Sequence, residues 1–415
     1  MPKKIIKKTA GLVKEALGKG TKTMKEFLSS QAASGIILFC FAVFAALVAN
    51  SSHYDFYKYV FSYQIPLDIP SLHIYKEMDL KLWIDDGFMA VFFLLVGLEL
   101  KREMLIGELS SKAKMALPTI AAIGGVVVPI AIYWIFNHSD PHAIRGAAIP
   151  AATDIAFAIG ILSLFGKRVT YSLRVFLVAL AIIDDLIAIL IIAIFYTAKI
   201  DLTYLGLAFL IIALLFTLNR LRVLSLLPYL ILAPFLWMFV LKSGVHATIA
   251  GVTLAMFIPL SKNPEIKSPA KTLEHYLHTP VSYFILPTFA FANSGVVLDH
   301  FSIETILNSI VLGIILGLFI GKQLGIVLMV WIAEKLKICK FEGNVQWLEF
   351  YGVAVLTGVG FTMSLFIGNL AFSSEEMIDN VRIGVIFGSL LSAIYGSLIL
   401  IFATKNKAKL SVNKT

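Results

Sequence analysis

Leu173-Arg-Val-Phe-Leu-Val-Ala-Leu-Ala-Ile-Ile-Asp-Asp-Leu-Ile-Ala-Ile-Leu-Ile-Ile-Ala-Ile-Phe-Tyr196 is an apolar run interrupted in its middle by two adjacent aspartates, Asp184 and Asp185. As a helix rising 1.5 Å per residue it is long enough to cross the bilayer's hydrocarbon core, about 30 Å thick. The two carboxylates then lie near the midplane, where each costs roughly 2.5–3.5 kcal/mol if ionised. Such a cost is rarely carried without a function, and an ion or proton site is the default expectation. The plainer alternative is a structural pair neutralised by basic partners, for which one carboxylate would suffice.

The rest of the chain points to the same solvent. Of 415 residues 59% are hydrophobic and only 15% charged, with a mean hydropathy of +0.87; a soluble domain is about 25% charged. Apolar runs of about 20 residues recur, which argues for helical spans rather than the short alternating strands of an outer-membrane barrel. The expected fold is an all-α polytopic membrane protein with about 12 transmembrane helices, centred on 34–50, 84–100, 116–136, 146–165, 172–196, 203–219, 223–240, 244–259, 276–293, 307–332, 347–372 and 381–403. Charge alternates between the connecting segments. The N-terminal tail, 101–114, 167–174, 220–222, 262–271, 335–340 and the C-terminal tail hold 27 of the 35 Lys and Arg residues. The opposite set holds seven, and Lys322 lies inside a span. Basic loops stay cytoplasmic, which places both termini inside.

This distribution organises the chain into a basic arm (1–30), a transmembrane domain (31–404) and a cytoplasmic tail (405–415). The arm suits anionic membrane lipid. The external loop 51–83, with Pro66 and Pro70, allows a small hairpin. The net charge of +9 is distributed by topology and does not indicate a nucleic-acid partner. Cys40 and Cys339 suggest neither a disulfide framework nor a metal site.

Two spans carry helix breakers at mid-membrane. Gly146-Ala-Ala-Ile-Pro-Ala-Ala-Thr-Asp154 places Pro150, Thr153 and Asp154 in the fourth span, and Leu356-Thr-Gly-Val-Gly-Phe-Thr-Met-Ser364 places two glycines and three hydroxyls in the eleventh. Each is the middle span of a three-span group, residues 116–197 and 307–404, and the topology gives the groups opposite orientations. The expectation is an inverted repeat with two interrupted helices crossing near the midplane. Half-helix ends expose unpaired backbone groups with partial charges of about half a unit. Asp154 is placed to cap N–H groups and offset a positive end, and Lys322 to offset negative ends or pair with an aspartate.

The segments Ala151-Ala-Thr-Asp-Ile-Ala-Phe157, Ala179-Leu-Ala-Ile-Ile-Asp-Asp185, Lys242-Ser-Gly-Val-His-Ala-Thr248 and Gly358-Val-Gly-Phe-Thr-Met-Ser364 resemble bacterial NhaA-type sodium/proton antiporters. So do Phe92-Phe-Leu-Leu-Val-Gly-Leu-Glu-Leu-Lys-Arg-Glu103 and Phe289-Ala-Phe-Ala-Asn-Ser-Gly295. Inverted repeats and broken helices are general features of this transporter class. The resemblance runs from about residue 30 to the end. It implies a multi-pass protein of the bacterial inner membrane that exchanges cytoplasmic sodium or lithium for external protons, electrogenically and under pH control, with no cofactor. It implies that Asp184 and Asp185 carry the exchanged ions, that Thr153 and Asp154 serve the crossing, and that Lys322 compensates charge and couples to Asp185. It also implies a homodimer joined partly through the first external loop. The Lys-rich N-terminal extension and details of loop 51–83 depart from the pattern and bear on that contact.

The residues suit this chemistry on their own terms. Sodium takes oxygen ligands, which carboxylates, hydroxyls such as that of Thr153 and carbonyls freed at a helix break supply. Burial and a like charge favour the protonated carboxylate, while Lys322 opposes them. A group so poised can hold either a proton or a cation, and that competition is itself an exchange mechanism. At the cytoplasmic face Glu99, Arg102 and Glu103 end the second span, and Lys271, Glu274, His275 and His278 share one face leading into the ninth. Histidines near acidic partners titrate around neutral pH, and the set reads as a pH-responsive funnel. His246 reads as structural. Two rival functions fit less well. A carrier of organic solutes needs a roomier polar site, and an intramembrane aspartyl protease needs two carboxylates from different helices sharing a proton.

Overall fold

The computed structural model describes residues 31–69, 74–196, 200–263, 267–297, 302–339, 341 and 345–412. The basic arm 1–30, Pro70 and the last three residues of the tail lie outside this set. Each of the twelve expected spans falls on helix. Seven segments are long and apolar enough to cross a membrane, and the pair Trp347–Leu356 and Phe361–Ala371, bent by 40°, makes an eighth. The other four expected spans lie on shorter or interrupted helices: Met89–Leu105, Leu227–Ser243, Thr248–Phe257, and Pro269–Pro280 continued through Val281–Ile285 to Asn293. The last helix, Glu375–Val412, continues past residue 404, so the tail begins as an extension of the twelfth span.

The fourth span breaks as the sequence suggests, with one difference. Its first part, Ala143–Ala151, is a 3-10 helix, followed by extended Ala152–Asp154 and the α-helix Ile155–Leu164. Pro150 has no N–H, and 3-10 geometry leaves backbone groups poorly paired. Side chains from neighbouring spans take up the carbonyls. The Tyr133 hydroxyl donates to Ala143 O at 2.8 Å, that of Tyr196 to Arg145 O at 2.6 Å and that of Ser364 to Ile149 O at 2.8 Å. Buried irregular backbone at membrane depth is stable only with such partners.

The third span, Lys112–Asn137, packs on the tenth, Ser309–Lys335, so the first members of the two repeat groups meet. They approach so closely at Gly124 and Gly325 that a Cβ on either would strike the other's carbonyl oxygen. This approach brings Lys322 into the centre of the protein, fully buried beside Gly125. Three π-helical turns, Trp83–Phe88, Val281–Ile285 and Gly317–Gly321, interrupt the second, ninth and tenth spans. Such turns widen a helix locally and are frequent at functional sites. Outside the helical body the loop 51–83 holds a short helix, Tyr54–Phe61, and the expected hairpin, with Leu67–Ile69 antiparallel to Ile74–Lys76.

Candidate functional site

The broken spans cross at their extended segments. The Asp154 N–H donates to Val359 O at 2.7 Å, and the Thr153 hydroxyl lies 2.9 Å from Thr357 O. Two inner half-helices, Ile155–Leu164 and Phe361–Ala371, therefore start side by side, and both present unpaired N–H groups to one place. A single carboxylate serves both. Asp154 Oδ1 accepts from Phe157 N at 2.9 Å, and Oδ2 accepts from Thr362 N at 3.0 Å and from the Thr362 hydroxyl at 2.5 Å. Two positive helix ends and one negative charge meet with no water needed.

One turn away, the fifth span, Tyr171–Phe195, presents its aspartates to different neighbours. Lys322 Nζ lies 2.5 Å from Asp184 Oδ2, and the Thr153 hydroxyl lies 2.8 Å from the same oxygen. The single proton of Thr153 is thus shared between Asp184 and the Thr357 carbonyl. The resemblance coupled Lys322 to Asp185, but the structure seats the ammonium on Asp184. Adjacent helical residues point about 100° apart, so only one of the two can face the tenth span. Nor does Lys322 bond Asp154, whose oxygens are taken by the eleventh span and its own helix end.

Asp185 is left in a different state. It is 1% exposed, and neither of its carboxylate oxygens has a hydrogen-bond partner among the described residues; Asp184 Oδ1 is likewise unpartnered. Buried polar atoms are almost always satisfied, and a carboxylate with no donor at all is a rare exception. Three oxygens on consecutive side chains therefore remain free for a proton or a hard cation. A cavity of about 280 Å³ is lined among others by Glu99, Ile155, Ile182 and Glu274. Ile182 is one turn before Asp185 on the same helix face.

The cavity mouth gathers part of the expected pH-responsive set. Arg102 Nε donates to Glu274 Oε1 at 2.9 Å and its Nη1 to Glu103 Oε1 at 2.6 Å. Glu99, Arg102, Glu274 and His278 line the cavity, whereas Lys271 and His275 lie on the exposed side of their helix. His246 Nε2–H donates to Tyr196 O at 2.8 Å, a structural contact. Thr357 and Thr362 are the site residues that sequence reasoning did not single out. Their signal was present as the hydroxyls flanking the eleventh-span glycines.

The sequence profile described as Na+/H+ antiporter 1 matches residues 25–400. This chain belongs to that family. Proteins named Na+/H+ antiporter NhaA from Brucella ovis and NhaA 1 from Magnetococcus marinus are 49% and 48% identical to it, over 92% of this chain and 96% and 99% of theirs. One named NhaA 1 from Brucella anthropi is 50% identical over 92% of this chain and 96% of its own length. The fold and family together make the chain a multi-pass bacterial membrane protein and a sodium/proton antiporter.

Proposed function

We propose that the exchanged ions occupy Asp185 and Asp184, with the Thr153 hydroxyl as a further oxygen ligand. The observation that carries this is the buried Asp185 carboxylate with both oxygens unpartnered, one helical turn beyond the cavity-lining Ile182. Protonation neutralises Asp185 and expels the cation, and sodium entering with its own charge expels the proton. Asp184 takes part through Lys322. While the ammonium holds Asp184 the charge is balanced, and sodium or a proton arriving at Asp184 displaces Lys322 from it. Loading of protons on both aspartates gives two protons for one sodium, which makes exchange electrogenic.

The alternation of basic loops supports cytoplasmic termini and a cavity open to the cytoplasm, hence export of sodium against entry of external protons. The ion-paired group at the cavity mouth, Arg102 with Glu103 and Glu274, together with Glu99 and His278, supports a pH response there; Lys271 and His275 stand outside the cavity and contribute through the local field. The external hairpin supports a homodimer contact, because a two-stranded sheet has main-chain edges with which a second copy can pair.

The test uses inside-out membrane vesicles acidified by respiration and a pH-sensitive dye. Adding sodium alkalinises vesicles holding the native chain. Asp185→Asn abolishes the response and Asp184→Asn nearly does. Sodium-dependent proton movement of native size in folded Asp185→Asn protein rejects the assignment.

A further inference from the structure

Beyond the ion site, three spans share a second arrangement. The second, ninth and eleventh spans each carry, going outward, a residue of the site or its cavity, then an aromatic ring, then a polar side chain. In the eleventh span these are Thr362, Phe366 and Asn369, at i, i+4 and i+7 on one helix face. In the ninth they are Leu286, Phe289 and Asn293, with Leu286 lining the cavity. In the second, Glu99 lines the cavity, Phe93 follows, and Asp85 lies about 20 Å from Glu99 along the helix.

The rings form a plug. Phe366 packs against Phe93 with centroids 5.5 Å apart and against Phe289 at 6.2 Å, and all three are fully buried. Beyond them the polar groups tie a knot. Asn293 Nδ2 donates to Asp85 Oδ1 at 2.7 Å, Asn369 Nδ2 donates to Asp85 Oδ2 at 3.2 Å and also lies 2.7 Å from Asn293 Oδ1. Lys81 Nζ stands 3.9 Å from Asp85 Oδ2. Asp85 sits in a π-helical turn, which sets it out of the regular helical register. Next to Asn293, the Ser294 hydroxyl is fully buried with no hydrogen-bond partner among the described residues. A buried hydroxyl left unsatisfied at this position marks an interface that is not a finished core.

We infer that the Asp85–Asn293–Asn369 knot and the Phe93–Phe289–Phe366 plug form the external gate of the antiporter, and that Asn369 and Asp85 are positioning residues that hold it shut while the cavity is open to the other side. The inference rests on the antiport and orientation proposed above. An exchanger must never be open to both faces at once, and here the second and ninth spans, which line the inner cavity, also close the outer end, where the eleventh joins them. Movement of the eleventh-span half-helix, anchored at Asp154 through Thr362, therefore couples occupancy of the site to the gate. The knot contributes to the closed state only, so weakening it shifts the population towards the externally open state without touching an ion ligand.

The shift has a signature that misfolding does not share. Apparent affinity on each face scales with the fraction of protein open to that face. In proteoliposomes of defined orientation, Asn369→Ala lowers the KM for sodium offered at the external face by roughly tenfold, the usual consequence of losing a hydrogen bond to a charged group. The KM at the cytoplasmic face rises or holds. Asp85→Asn, which preserves shape, is measured alongside and shifts the same way if Asn369→Ala does not fold. In a chain whose Cys40 and Cys339 are replaced, Ser294→Cys reacts with an impermeant thiol reagent added outside, and faster when Asn369→Ala is also present. Equal changes at both faces, a fall at the cytoplasmic face, or an unchanged external KM in folded protein overturns the gate. Asp185→Asn in the same liposomes reports separately on the antiport assignment.

Discussion

Lys322 illustrates what a residue does when it leaves water. Its ammonium is 0% exposed, and its carboxylate partner, Asp184, is 1% exposed. The pair gains little over apolar packing, but removing one partner orphans a buried charge, which costs about 3–5 kcal/mol. Lys322→Met is therefore expected to lower thermal stability in detergent sharply at neutral pH, with the deficit shrinking at acid pH where protonation of Asp184 removes the orphaned charge. Lys322→Arg keeps a cation there and is expected to retain more of the stability. A pH-independent melting curve for the Met variant would contradict this account. Asp185 stands in contrast, since it has no partner to lose, and Asp185→Asn is expected to leave stability unchanged or improved while transport disappears.

At the scale of elements, the crossing depends on one carboxylate that ends two helices. Asp154→Ala leaves the N-termini at Ile155 and Phe361 without their acceptor. Each lost cap costs about 1 kcal/mol, and the unpaired Thr362 groups add to it. The expected outcome is a fall in melting temperature together with loss of transport, whereas Thr362→Val, which retains the backbone donor, is expected to fall less. The approach of the third and tenth spans is equally specific. Gly124→Ala puts a methyl group into the Gly325 carbonyl, and overpacking of this kind costs about 1–3 kcal/mol. Melting of the two glycine variants, at 124 and 325, should report the same contact from both sides. Both broken spans were legible in the sequence from Pro150 and the paired glycines, because breakers act locally. The 3-10 form of Ala143–Ala151 was not, because it is held by hydroxyls of Tyr133, Tyr196 and Ser364 that come from three other spans.

At the scale of the whole molecule, the proposed dimer contact lies apart from the proposed ion site, so transport and assembly are expected to be separable. Replacing the hairpin residues 66–77 with a short flexible linker is expected to yield monomers by native mass spectrometry that still exchange sodium for protons. Persistent dimers would move the contact elsewhere on the surface. The apolar runs, their number, the segregation of basic loops and the mid-membrane breaks follow from the sequence by itself, since hydropathy, charge and backbone preference are properties of short stretches. The adjacent aspartates announced a site on the same grounds. Which aspartate holds the lysine followed only from the fold, as did the sharing of Asp154 between two helix ends and the joining of Asp85, Asn293 and Asn369. Those bonds link residues 138, 208 and up to 284 positions apart. A single polar side chain near the end of an apolar run looks the same whether it faces lipid headgroups or a partner. Only the packing of the spans, with no water available to the buried groups, determines which polar atoms must meet.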